Sequence, residues 1–249
     1  DLSKHEHEYI VRVKWINDSR RLAVQTMDRS QTRLDLFFVG REEGKPTHIL
    51  TERDKGWVNI HDDLYFLEKS DRFLWASERS GHMHLYLYDL EGKLLGPVTS
   101  GEWAIRSAAG AVSWLRQAVH SIDEEGGWVY FTSIRESSIE KQLYRVRLDG
   151  SGLERLTKES GTHGIGFSEN GRFYFNQHSS GSTPPSLSLH ARDGSRLELV
   201  APSRPGIFSS LGMRHPEHFS IKTDDGFRMP AELLRPDGFS PGRKYPVIM

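Results

Sequence analysis

Phe66-Leu67-Glu68-Lys69-Ser70-Asp71-Arg72-Phe73-Leu74-Trp75-Ala76-Ser77 decides how the chain is read: an apolar residue, a polar turn, then a β-rich run carrying large aromatics. The same device recurs at Trp15–Val24, at Ser121–Phe131 and at Phe167–Phe175. The four copies are spaced by roughly 45 to 55 residues, within the period range of propellers and related arrays. Each copy continues into a second β-rich run, at Leu34–Phe38, Leu85–Tyr88, Leu143–Val146 and Leu187–His190. Three of those runs enter turns at Asp89–Gly92, Asp149-Gly150 and Asp193-Gly194, where glycine tolerates the positive φ of a tight hairpin. A short last run follows at Ile49–Thr51, Pro97–Thr99, Arg155–Thr157 and Leu197–Val200.

With the run that leads into each first turn, every copy offers four short antiparallel strands, which is one propeller blade. The first blade opens on Tyr9–Trp15, where Ile10 is opposed in phase to Tyr9, Val11, Val13 and Trp15. Helical spacing of apolar residues is scarce, so the chain reads as almost all β. The stretch Ala201–Gly206 breaks the repeat and reads as a linker. Beyond it, His218–Thr223 and Phe227–Arg235 read as a hairpin about Asp224-Asp225-Gly226, with Pro230 confining its strand to an edge or bulge. Lys244–Met249 reads as the start of a further strand, and both ends of the chain read as lying inside structural elements.

Composition narrows the function classes. The 249 residues are 36% hydrophobic and 27% charged, with a net charge of −1. There is no basic excess for neutralising phosphates, so nucleic acid is not an expected partner. No apolar run approaches the roughly 20 residues of a membrane helix, and no leader pattern opens the chain. Cysteine is absent, which removes disulfides and thiol catalysis.

Several polar groups invite a functional reading. Gly56–Phe66 joins the first copy to the second and holds the cluster His61-Asp62-Asp63, either a ligand-facing loop near the propeller axis or a loop whose acids accept backbone N–H bonds. His82 and His84 would share a strand face, yet no third ligand has recognisable spacing, so they read as structural or solvent-facing, as do His5 and His7. No metal site and no cofactor are expected. Ile134–Lys141 reads as a solvated loop. Gly161–Gly166 resembles a glycine loop but lacks the following helix that phosphate binding needs, and His178–Pro185 reads as a long hairpin connection stiffened by two prolines.

Taken together, Trp57–Leu64, Phe73–Gly81, His84–Asp89, Leu143–Val146 with Leu148-Asp149-Gly150, and Lys244–Val247 resemble the dipeptidyl peptidase IV branch of the prolyl oligopeptidase serine peptidases, in its bacterial form. They occur in family order and cover nearly the whole chain. The resemblance implies an all-β partial β-propeller of about four four-stranded antiparallel blades over residues 1–200. A linker over 201–215 and the first strands of an α/β-hydrolase domain over 216–249 would follow. It implies a parent serine exopeptidase that releases X-Pro or X-Ala dipeptides, in which the propeller gates access and shapes the pocket for the substrate's N-terminus. A periplasmic or secreted location is also implied. The nucleophile motif Gly-x-Ser-x-Gly is absent from these residues, so no catalytic residue is assigned and no peptidase activity is expected of the chain itself. The family's paired glutamates for the substrate ammonium are not found either, since Glu42-Glu43 and Glu124-Glu125 lie in turns of different context. Asn59, His61 and Asp62 match the family segment that approaches the substrate pocket and are the candidate substrate-binding residues. The alternatives are a stand-alone propeller that binds protein or peptide, and an acylaminoacyl-peptidase or oligopeptidase relative. Peptide is the expected ligand, and self-association through exposed blade faces is the expected assembly.

Overall fold

Alternating side chains place Phe73 and Trp75 on one face of their strand and Leu74 and Ala76 on the other, and all four are fully buried. A strand buried on both faces needs a packed neighbour on each side. The computed structural model describes residues 7–42, 44–106, 117–212 and 214–248 and supplies those neighbours. Four four-stranded antiparallel sheets follow one another along the chain. The first holds β1 (Tyr9–Trp15), β2 (Arg21–Met27), β3 (Arg33–Gly40) and β4 (Pro46–Arg53); the second β5 (Leu64–Phe66), β6 (Arg72–Ser77), β7 (His84–Asp89) and β8 (Leu94–Pro97). The third holds β9 (Val119–Asp123), β10 (Trp128–Ser133), β11 (Gln142–Arg147) and β12 (Glu154–Arg155); the fourth β13 (Thr162–Phe167), β14 (Phe173–Ser180), β15 (Thr183–Ala191) and β16 (Arg196–Ala201). In every sheet the strands pair in chain order, as in a propeller blade.

The apolar core is a set of layers between consecutive sheets. Met27, Leu36 and Phe38 of the first sheet meet Phe66, Phe73, Trp75 and Tyr88 of the second. Leu74, Ala76, Leu85 and Leu87, from the other face of the second sheet, meet Val129, Phe131 and Tyr144 of the third. Tyr130, one residue out of phase with Phe131, turns instead to Tyr174 and Phe167 of the fourth. Aromatic rings lock the layers: Phe38 lies 5.8 Å from Phe73, and Tyr130 lies 5.1 Å from Phe167. At the two ends of the row the outward faces stay exposed, through Ile10 and Val13 at one end and Phe175 and Leu199 at the other.

The turns form for the reasons their residues suggest. Asp89 accepts the Lys93 N–H at 2.7 Å, and Gly92 closes the turn at φ +87°. Asp149 and Asp193 accept the N–H groups of Ser151 and Ser195, each at 2.9 Å. Gly92 also carries a packing role, because a Cβ there would lie 2.4 Å from the carbonyl oxygen of Ile49 in the preceding sheet. Gly92→Ala is therefore expected to cost about 2 kcal/mol or more, from positive-φ strain plus the inter-sheet clash. Gly226 has nearly the same φ, +88°, with nothing within 4 Å, so Gly226→Ala should cost about half as much. Paired urea melts check the difference.

Three sequence expectations are corrected. Gly161–Gly166 is not a loop between strands: Thr162–Phe167 is itself the strand β13, paired with β14 from Thr162↔Ser179 to Phe167↔Tyr174. His178–Pro185 is not a long connection, since β14 runs to Ser180 and β15 begins at Thr183. The two prolines fit there because β16 pairs β15 only from Leu187 onward, and the β14 pairing is irregular between His178 and Ser180. Finally, residues 244–248 join no ladder, while Met249 lies outside the described residues. Ile134–Lys141 connects β10 to β11, with Ile139 exposed. A short helix, α1 (Gly206–Ser210), falls between β16 and the hairpin of β17 (Glu217–Lys222) and β18 (Arg228–Leu233). Those last two strands pair only with each other, so Pro230 sits on an edge.

Candidate functional site

The connection from β4 to β5 carries the three candidate residues and is pinned at several points. Asp54 caps the Gly56 N–H at 2.7 Å, and the Val58 N–H donates to the Gln31 carbonyl at 2.7 Å. Ile60 packs on the layer between the first two sheets. Asn59 is exposed: its Nδ2 donates to the Glu78 carboxylate at 2.7 Å, and its Oδ1 accepts the Trp57 indole N–H at 3.3 Å.

His61 points inward. Its ring meets Trp75 edge-on at 4.7 Å and accepts the Asp63 N–H at 3.2 Å. Burial lowers its pKa to about 4, so the ring is neutral at pH 7. Asp62 forms an ion pair with Arg12 of β1 at 2.6 Å. Asp63 reaches across to the third sheet, where its carboxylate accepts the N–H groups of Ala118 at 2.8 Å and Val119 at 3.2 Å, and the Tyr65 hydroxyl at 3.1 Å. Burial outweighs those bonds and pushes its pKa up to about 6. Of the three candidates, then, only Asn59 presents its side chain to solvent; His61 and Asp62 are engaged in holding the loop.

A cavity of about 200 Å³ opens beside Asn59, walled by Trp57, His61, Glu78, Arg79 and Glu52. Glu52 is buried and saturated, accepting the Trp75 indole N–H at 3.0 Å, the Ser77 hydroxyl at 2.8 Å and an ion pair from Arg79. Arg79 is further fixed over the Tyr86 ring, 4.6 Å from its centroid. Sequence reading does not single out Glu52 or Arg79, which lie 27 positions apart and meet only through the packing of two sheets. The one local signal is a charged residue placed directly after the apolar pair Ile49-Leu50 and Thr51 in a buried strand.

Other groups turn out to be structural. Both ring nitrogens of buried His84 are used, by Thr99 Oγ1 and the Gly101 carbonyl, each at 3.0 Å. Glu124 caps the N–H groups of Glu68 and Lys69 in the neighbouring sheet at 2.5 and 3.0 Å, and Glu125 pairs with Lys69. Among the described residues no group of three or more His, Cys, Asp or Glu could hold a metal ion, and no helix is long and apolar enough to cross a membrane. His5 and Glu43 lie outside the described residues.

The family model for the dipeptidyl peptidase IV N-terminal region matches residues 1–185. The chain belongs to that family. It is 31% identical to a probable dipeptidyl-aminopeptidase B of Emericella nidulans over 96% of its own length, and 26% identical to dipeptidyl peptidase 8 of Mus musculus over 97%. The crystal structure of Porphyromonas gingivalis dipeptidyl peptidase 4 superposes with a TM-score of 0.80 at 27% identity, covering 96% of this chain. The chain spans 27% to 33% of the length of these three relatives. Its four sheets thus match the propeller of that family's N-terminal region, and the Asn59 loop is a connection between two of them.

Proposed function

We propose that the protein containing this chain is a serine-type exopeptidase that releases dipeptides with proline or alanine second. In this reading the blades narrow access to a hydrolase domain of which residues 216–249 form the leading edge. Asn59 meets the substrate near its N-terminal end, while His61 and Asp62 hold the loop from behind. The observation that carries the reading is the match to named dipeptidyl peptidases over almost the entire chain. The fixed loop geometry supports it: an exposed amide on a connection tied down by Val58, His61 and Asp62 is a preorganised contact.

The protein as encoded is expected to cleave Ala-Pro and Gly-Pro p-nitroanilides and to leave their N-acetylated forms intact. Asn59→Ala should raise KM about fivefold with kcat near wild type, the pattern of a lost uniform contact. Equal cleavage of free and acetylated substrates, or none of either, rejects the reading. The 249 residues alone should hydrolyse neither substrate. Their exposed end faces should associate, and sedimentation should show species heavier than 28.5 kDa.

A further inference from the structure

We propose that the cavity beside Asn59 is a receptor for a cationic peptide side chain, lysine or arginine, held between the Trp57 ring and the Glu78 carboxylate. Trp57 is 65% exposed, unusual for so large an apolar ring, yet it is not loose. Its indole N–H donates to Asn59, whose amide donates in turn to Glu78, so ring, amide and carboxylate form one oriented chain along the wall. An aromatic face beside a carboxylate is the pairing that selects a cation attached to an apolar stem.

The charge balance of the wall agrees. Three carboxylates, Glu52, Asp54 and Glu78, face two guanidiniums, Arg53 and Arg79. Arg79 is consumed by Glu52, and His61 is neutral. Among the described residues, no Lys, Arg or His lies within ion-pair distance of Glu78. A volume of about 200 Å³ accepts one long side chain and not a folded ligand. The inference builds on the peptide-handling function proposed above and adds a side-chain preference to it. The test is arranged so that the two fail separately.

Binding is measured on the protein as encoded, by calorimetry, with peptides blocked at both ends so that no exopeptidase consumes them: acetyl-Ala-Ala-Lys-Ala-Ala-amide and its glutamine counterpart. The lysine peptide should bind about tenfold more tightly. Glu78→Gln, which keeps an acceptor for Asn59, and Trp57→Ala should each bring the ratio close to one. Both positions are exposed, and thermal melts matching wild type confirm that the variants are folded. Equal binding of the two peptides, no binding at millimolar concentration, or a ratio preserved in both variants overturns the proposal. Failure to cleave dipeptide chromogens would instead reject the exopeptidase reading and leave this ratio standing.

Discussion

Trp75→Ala is expected to destabilise the protein by about 4 kcal/mol, within the range for truncating a fully buried large aromatic. The ring has no solvent exposure and lies in the layer joining the first and second sheets. Its removal opens a cavity between sheets, strips the edge contact from His61 and deprives Glu52 of its indole donor. Glu52 keeps Ser77 and Arg79, so the lost packing is the larger effect. Trp75→Phe fills most of the volume and should cost about 1 to 2 kcal/mol, chiefly the lost hydrogen bond. Trp57→Ala, on the exposed ring, should stay within about 0.5 kcal/mol. Urea unfolding monitored by circular dichroism gives all three; a Trp75→Ala cost below about 1 kcal/mol would mean that the layer is not packed as described.

The second large effect is a pair of opposed pH dependences two residues apart in the chain, at His61 and Asp63. Asp63 has its pKa raised from 3.8 to about 6 by burial, so the folded chain holds that proton more tightly than the unfolded one. Its stabilising contribution is complete below 3.8 and is lost as the pH rises through about 6. His61 has its pKa lowered from 6.5 to about 4, so its contribution is complete above 6.5 and is lost as the pH falls through about 4. Between pH 4 and 6 the two slopes, each approaching 1.4 kcal/mol per unit, largely cancel. As the pH falls from 6 to 4, Asp63→Asn, with the histidine unmasked, should lose about 3 kcal/mol relative to wild type. His61→Gln should gain a similar amount relative to wild type. Half-buried His120, also lowered to about 4, weakens every variant alike in acid and drops out of the differences. Stability curves that run parallel for wild type and both variants would contradict the burial of these groups.

Much of this fold is legible in the sequence itself. Phe73-Leu74-Trp75-Ala76 has no polar alternation, which only a strand buried on both faces tolerates, and its recurrence announced stacked sheets. Asp149-Gly150 and Asp193-Gly194 named their own turns, because carboxylate capping and positive φ are local requirements. The failures were also physical. Gly164 and Gly166 disguised β13, whose place is secured by pairing with β14 from Thr162 to Phe167. Pro184 and Pro185 looked like a loop because sequence does not show that β16 stops short of them. His61-Asp62-Asp63 was legible as one polar cluster, but not that His61 turns inward while Asp62 pairs with Arg12 and Asp63 reaches Ala118. Whether a side chain turns to solvent or to Trp75 depends on the neighbouring blade. Glu52 and Arg79 escaped notice for the same reason, each being interpretable only beside the other.

The central claim is that successive blades lie side by side around an axis, and zero-length carbodiimide cross-linking tests it most directly. Lys69, in the turn between β5 and β6, pairs with Glu125, in the turn between β9 and β10, and the two are 56 residues apart in sequence. Mass spectrometry of the digested monomer should recover an amide joining Lys69 to Glu125. Recovery of Lys69 linked only to its own neighbours Glu68 and Asp71, or to acids of the fourth sheet such as Glu198, would contradict the arrangement.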